Sequence, residues 1–191
     1  MVNKQPSFMG RSARRALAAS GIAAAALYGW WQAIDGARTT PSLPDIQTGT
    51  TLPLGKVTLT PLSVQLRPPS SGKAEAQLVL TATVENVTST TQSGAFGYPP
   101  RLVTVQAAGQ PQLNPPDITL LRDHQPLQQL QPRMPEQVEI VWDIPANWPT
   151  QEWLFTFHEQ QFKLKDNLYA RANWLGYSPA AHMAVVLEAE P

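Results

Sequence analysis

The sequence predicts an all-β domain, an antiparallel sandwich of two sheets and about seven strands, preceded by one N-terminal transmembrane helix. Three observations carry that expectation. An uncharged run from Ala16 to Ile34 follows a basic tail, short runs of period-two alternation recur after residue 56, and nineteen prolines accompany only 15% charged residues. Proline interrupts helices and favours turns, so a chain of this composition reads as many turns and few exposed helices.

The first 15 residues carry Lys4, Arg11, Arg14 and Arg15 and no acid. The run from Ala16 to Ile34 has 19 residues, with Trp30 and Trp31 near its end. A spanning helix needs ~20 apolar residues, basic residues mark the cytoplasmic flank, and Trp favours the interface. Residues 1–15 are therefore expected as a cytoplasmic tail and 16–35 as a signal anchor. Two export signals compete with that reading. Cleavage after Ala37 would put Asp35 at the −3 position, where a small residue is needed, and cleavage after Gly36 would put Ile34 there. Arg14-Arg15 resembles a twin-arginine core, but Ser12-Ala13 and Ala18 depart from the fuller pattern.

Residues 16–191 hold 10 basic and 14 acidic side chains, counted directly from the sequence. An acidic outer domain with no basic cluster argues against nucleic acid, whose phosphates need Lys and Arg. No cysteine is present, which removes disulfides, thiolate metal sites, thiol nucleophiles and lipidated-cysteine anchors.

Residues 36–55 read as a Pro/Thr-rich linker, extended by Pro41, Pro44 and Pro53. From 56 to 191 the alternation of half-buried strands takes over. Val57 and Leu59 lead into Leu62, Val64 and Leu66, with Pro61 marking an edge or bulge. Ala76 to Thr88 places Leu78, Leu80, Ala82 and Val84 on one face. Shorter runs cover Arg101 to Ala107 and Ile118 to Arg122. Gln137 to Ile144 turns Val138, Ile140, Trp142 and Ile144 inward, and Glu152 to Leu164 aligns Trp153, Phe155 and Phe157. His182 to Ala189 ends the series with Met183, Val185 and Leu187. Seven strands at this spacing suit a sandwich of immunoglobulin type; an up-and-down barrel is the alternative.

The stretches Leu78–Thr88 (LVLTATVENVT), Leu130-Gln131-Pro132 and Val138–Pro145 (VEIVWDIP) resemble a pattern in membrane-tethered bacterial immunoglobulin-like domains. There a strand ends in a polar turn after an Asn, and a later L-x-P turn leads into the next strand. The resemblance spans about a quarter of the chain. It implies a fold and carries over no functional residue.

Chemistry-bearing patterns are sparse. His124, His158 and His182 fall on three separate elements without close ligand spacing, so no metal site and no cofactor are expected, and His158 should face outward. Asp117, Asp123, Glu136, Glu139 and Asp143 fall on turns or outward faces, and Asp123-His124 reads as a hairpin tip. No G-x-S-x-G or phosphate loop occurs, so no catalytic residue is assigned. Trp142 and Trp153 belong to the expected core. Candidate binding residues are loop aromatics: Phe96 and Tyr98 in Thr88–Pro100, Trp148 in Pro145–Pro149, and Trp174 and Tyr177 in the connection before the last strand. If the two larger loops converge, these residues form one site. The expected function is non-enzymatic: an envelope protein on the bacterial inner membrane, its C-terminal domain in the periplasm or outside the cell, binding a protein partner as accessory or scaffold subunit. A glycan or cell wall held by the same aromatics is the alternative.

Overall fold

The computed structural model describes residues 21–22, 24–35, 42–68, 76–145, 148, 152–165, 170 and 172–187. The chain divides into two compact units, one ending at Ser42 and one beginning at Leu43. In the first, residues 21–22 and 24–35 are helical. No helix among the described residues is long and apolar enough to cross a membrane. The basic tail and residues 16–20 of the expected span lie outside the described residues.

The second unit is a β-sandwich. Its strands are β1 (Leu52–Pro53), β2 (Val57–Arg67), β3 (Ala76–Asn86), β4 (Gln92–Ser93), β5 (Val103–Ala107), β6 (Asp117–Leu120), β7 (Gln129–Leu130), β8 (Pro135–Ile144), β9 (Glu152–Lys163) and β10 (Asn173–Val186). One sheet runs β1-β2-β3-β8-β6, a second runs β10-β9-β5, and β4 pairs with β7 alone. All these pairs are antiparallel. The seven longer strands, β2-β3-β8-β6 facing β10-β9-β5, follow the four-against-three order of immunoglobulin constant-type sandwiches.

Alternating side chains fill the space between the sheets. Leu78, Leu80, Ala82 and Val84 of β3 and Val138, Ile140, Trp142 and Ile144 of β8 are buried, as are Trp153, Phe155 and Phe157 of β9. Trp142 and Phe155 meet edge-to-face across the gap, ring centroids 5.8 Å apart, a geometry that aligns ring edge with ring face. With no cysteine to cross-link the sheets, this aromatic contact holds the centre of the core.

Three expectations need correction. The segment assigned to a linker belongs to the domain from Leu43 onward: Leu52 and Leu54 are buried and Ile46 packs on the core. Backbone pairing fixes it there, the Ile46 amide donating to His182 O and the His182 amide to Pro44 O. The last strand begins at Asn173 rather than His182. Gly176 and Pro179 disguise its first half, and register shifts at Leu175/Ser178 and Pro179/Ala181 absorb them. Leu62 is exposed instead of buried, because the register shifts between Pro61 and Ser63. The bulge anticipated at Pro61 throws Leu62 outward.

Candidate functional site

The loop from Gly94 to Leu102 wraps around one backbone carbonyl. Phe96 O accepts the amides of Arg101 (2.7 Å) and Leu102 (3.1 Å), and the Gly97 amide donates to Gly94 O at 2.9 Å. Closing so tight a loop turns Phe96 inward, leaving 3% of it exposed. Expected as a binding aromatic on the surface, Phe96 is a core plug. Its neighbour Tyr98 is 96% exposed. Gly97 between them has φ 91°, and a Cβ there would stand 3.2 Å from Tyr177 Oη and Pro99 O.

A strap holds this loop against the following connection. β4 pairs with β7, Gln92 opposite Leu130 and Ser93 opposite Gln129. The strap is anchored by Asn86, which is fully buried. Asn86 Nδ2 donates to Leu130 O (3.0 Å) and Thr90 O (2.8 Å), and Oδ1 accepts from the Thr88 amide (2.9 Å) and hydroxyl (2.7 Å). The Arg133 amide donates to Asn86 O, and Asn86 bridges Pro132. Thus the Asn turn and the L-x-P turn of the sequence pattern touch through one amide side chain. The same burial leaves the formal sequon Asn86-Val87-Thr88 with no free amide for a glycan.

Between loop and strap lies a groove of about 360 Å³. Phe96, Ile118, Leu127 and Leu130 line it with apolar surface, and Gln92, Gln128, Gln129 and Asp117 bring polar groups to it beside Tyr98. Ligand sites combine apolar walls with a few polar groups, and this volume stands at the small end of their range. The glutamines could have been flagged from sequence only with the strap pairing in hand, because nothing local distinguishes Gln92 or Gln129 from a surface residue.

Trp174 and Tyr177, expected in a connection, lie on β10, and the Phe96–Tyr98 loop meets that strand through Tyr177. Its hydroxyl donates to Ala95 O (3.4 Å) and accepts from Gln160 Nε2 (3.0 Å), while the Arg101 guanidinium lies 5.3 Å above its ring. Burial raises the Tyr177 pKa, with Arg101 pulling it back. Tyr177 is therefore a half-buried tie between the β9–β10 hairpin and the Ala95 loop rather than an open anchor. Trp174 is half-buried as well, its ring 5.2 Å from Phe162 and against Gly55. Trp148 packs partly buried on the core. Of the five candidates, Tyr98 stands in the open and lines the groove.

Apart from Asp117 on the groove rim, the carboxylates singled out in the sequence are engaged elsewhere. Glu139 meets Arg67 at 2.9 Å and Glu136 meets Arg122 at 2.9 Å, while Asp143 accepts from Gln77. The Gln125 amide lowers the Asp123 pKa, with Arg122 assisting, which is the hairpin tip read from sequence. Among the described residues, no three His, Cys, Asp or Glu side chains are grouped to hold a metal. His158 stands on the outer face of its sheet but is half-buried, with Nε2 2.9 Å from Thr104 Oγ1. Burial lowers its pKa, and His182 nearby lowers it further; these two histidines are neighbours, not unrelated.

Comparison with known proteins supports the fold alone. No protein-family model and no curated protein sequence matches the chain. An uncharacterised β-sandwich protein of Clostridium difficile superposes with a TM-score of 0.50 at 9% identity, covering 77% of this chain and 97% of that one. A candidate lipoprotein of Bacillus subtilis gives 0.43 at 8% identity over 73% of this chain and 39% of its own. A secreted protein of Mycobacterium tuberculosis gives 0.40 at 12% identity over 78% and 100%.

Proposed function

We propose that this protein is a non-enzymatic binding subunit, tethered to a membrane by its N-terminal segment, whose sandwich captures an uncharged extended segment of a protein partner. The observation that carries this reading is the groove: an apolar floor with a rim of side-chain amides and the Asp117 carboxylate. An apolar centre with a polar rim is the anatomy of protein interfaces. Glutamine amides both donate and accept, so Gln128 and Gln129 can pair with the peptide groups of an extended chain, while Gln92 Nε2 is held by Thr88 Oγ1 and Thr90. Binding rather than turnover is supported by Glu136, Glu139 and Asp143, whose partners are structural arginines and an amide. The tether is supported by the basic tail and the uncharged run and by the exposed apolar side chains Leu27, Trp30 and Trp31 of the helix. The domain would then face the periplasm or cell exterior, in the manner of membrane-tethered immunoglobulin-like proteins.

A glycan is the second reading, favoured by one feature, the 96% exposure of the Tyr98 ring, which suits stacking on a sugar face. The test is crosslinking from intact membranes with a photoreactive residue at Gln129, beside a glycan-array screen of the same protein. A protein adduct that disappears in the Tyr98→Ala variant supports the partner reading. Array binding lost in that variant, with no protein adduct, transfers the groove to sugar. Tyr98→Ala leaving a protein adduct at full yield would overturn the groove as the site.

A further inference from the structure

The groove is electrically one-sided. Asp117 brings the only charged side chain among its lining residues, and no Lys or Arg faces it there. Asp117 opens β6 and stands exposed on the rim. The next residue, Ile118, packs on the core and walls the same groove. A carboxylate and an apolar wall are therefore consecutive residues of one edge strand.

No cation among the described residues answers this charge. The Asp117 carboxylate makes no hydrogen bond or ion pair there. Asp117 lies opposite Val141 of β8, so it shares the outer sheet face with Glu139 and Asp143. On that face Arg67 is taken by Glu139 at 2.9 Å, and Asp143 is met by the neutral amide of Gln77. Arg101, in the Gly94–Leu102 loop, lies over the Tyr177 ring.

An ionised carboxylate only accepts, so its match is a donor. A charged donor matches best, because its hydrogen bond is roughly twice as strong as a neutral one. Complementary charge at a rim also fixes the register of the chain that binds.

From these observations we infer that the segment held by the groove carries a basic group at its Asp117 end. That group stands next to the apolar residue seated against Phe96, Ile118, Leu127 and Leu130. This rests on the protein-partner reading above and adds to it. The segment is uncharged where it crosses the floor and cationic where it meets the rim. A chain's first α-amino group, a lysine and an arginine share this chemistry. Because the carboxylate is exposed, salt screens the pair and its share of the affinity is modest.

The test offers immobilised full-length protein pools of short synthetic peptides randomised over uncharged residues. One pool is acetylated and amidated, one keeps a free amino terminus, one is acetylated with a single Lys or Arg, and one is acetylated with a single Glu. Melting curves confirm that each variant folds. The expected result is retention of a basic pool roughly three- to fivefold above the neutral pool, the range of an exposed ion pair. Asp117→Asn and high salt should remove that excess, Asp117→Glu should keep it, and Asp117→Lys should transfer it to the Glu pool. Glu152→Gln, exposed at the start of β9 and outside the groove lining, should leave it unchanged. Preference for the free terminus or for the side-chain pool identifies the source of the cation, and either supports the inference. Equal retention of basic and neutral pools, both lost in Tyr98→Ala, would overturn the basic group and leave the groove a peptide site. An excess that persists in Asp117→Asn would overturn the role of Asp117. Failure of the unaltered protein to retain any pool would overturn the peptide reading with it.

Discussion

Replacing Asn86 by alanine should loosen the strap and the groove together. The side chain makes two donated and two accepted hydrogen bonds. Truncation leaves Leu130 O without its donor in the interior, at a cost of ~1–3 kcal/mol for an unsatisfied buried group. Thr90 O and the Thr88 amide are only part-buried, so water can replace some of their loss, adding ~1 kcal/mol between them. The expected destabilisation is about 2–4 kcal/mol. For a domain of this size that lowers the melting temperature by roughly 6–12 °C. The position of the effect matters as much as its size. Hydrogen exchange should accelerate at Thr88–Gln92 and Leu130–Arg133, while the Trp142–Phe155 centre keeps its protection until global unfolding. Asn86→Asp should be no milder, because a carboxylate loses both donations and faces two carbonyls. A loss below about 1 kcal/mol, or uniform acceleration of exchange across all strands, would refute the strap as an Asn86-held unit.

Trp142→Ala should cost ~3–5 kcal/mol, as large-to-small changes in a packed core do, whereas Tyr98→Ala should stay within ~0.5 kcal/mol; denaturant melts of both report the difference. Gly55→Ala should destabilise by ~2 kcal/mol or more, because φ is 88° and a Cβ would lie 2.7 Å from Gln160 O. Gly176→Ala, at φ 65° with nothing within 4 Å, should cost about 1 kcal/mol, and equal losses would contradict the close approach. The pH dependence follows from His158, whose folded pKa lies below its ordinary 6.5. The unfolded chain binds the proton first, so this contribution is complete above pH ~6.5 and is lost as pH falls through the folded value. Its surroundings are Thr104 on β5 and His182 on β10, with Asp45 bridging His182. His158→Gln should flatten the melting temperature between pH 7.5 and 5, and an unchanged profile would remove His158 as the cause.

Much of this fold was legible because a strand's inward face is written at every second residue. Val138, Ile140, Trp142 and Ile144, or Trp153, Phe155 and Phe157, declare their side of the sheet without knowledge of any partner. Pro61 announced its bulge, since a residue without an amide interrupts a ladder. Hidden features were those whose environment comes from distant chain. Leu52 and Leu54 sit among Pro and Thr in a stretch with no period, and they are core only because β2 folds back over them. β10 looked broken at Gly176 and Pro179, yet a long partner strand tolerates two bulges. Phe96 and Tyr98 illustrate the limit most sharply: equally aromatic and two residues apart, one fills the core and the other stands in water. Alternation governs contiguous strands, but in a loop the direction of each side chain depends on non-local atoms. For Phe96 these are the amides of Arg101 and Leu102 on its carbonyl and the core cluster it joins. The sequence alone thus determined the alternating core and the kind of fold. The tertiary structure decided which loop residues became wall, strap and open face, because only pairing between β4 and β7 and the burial of Asn86 bring them together.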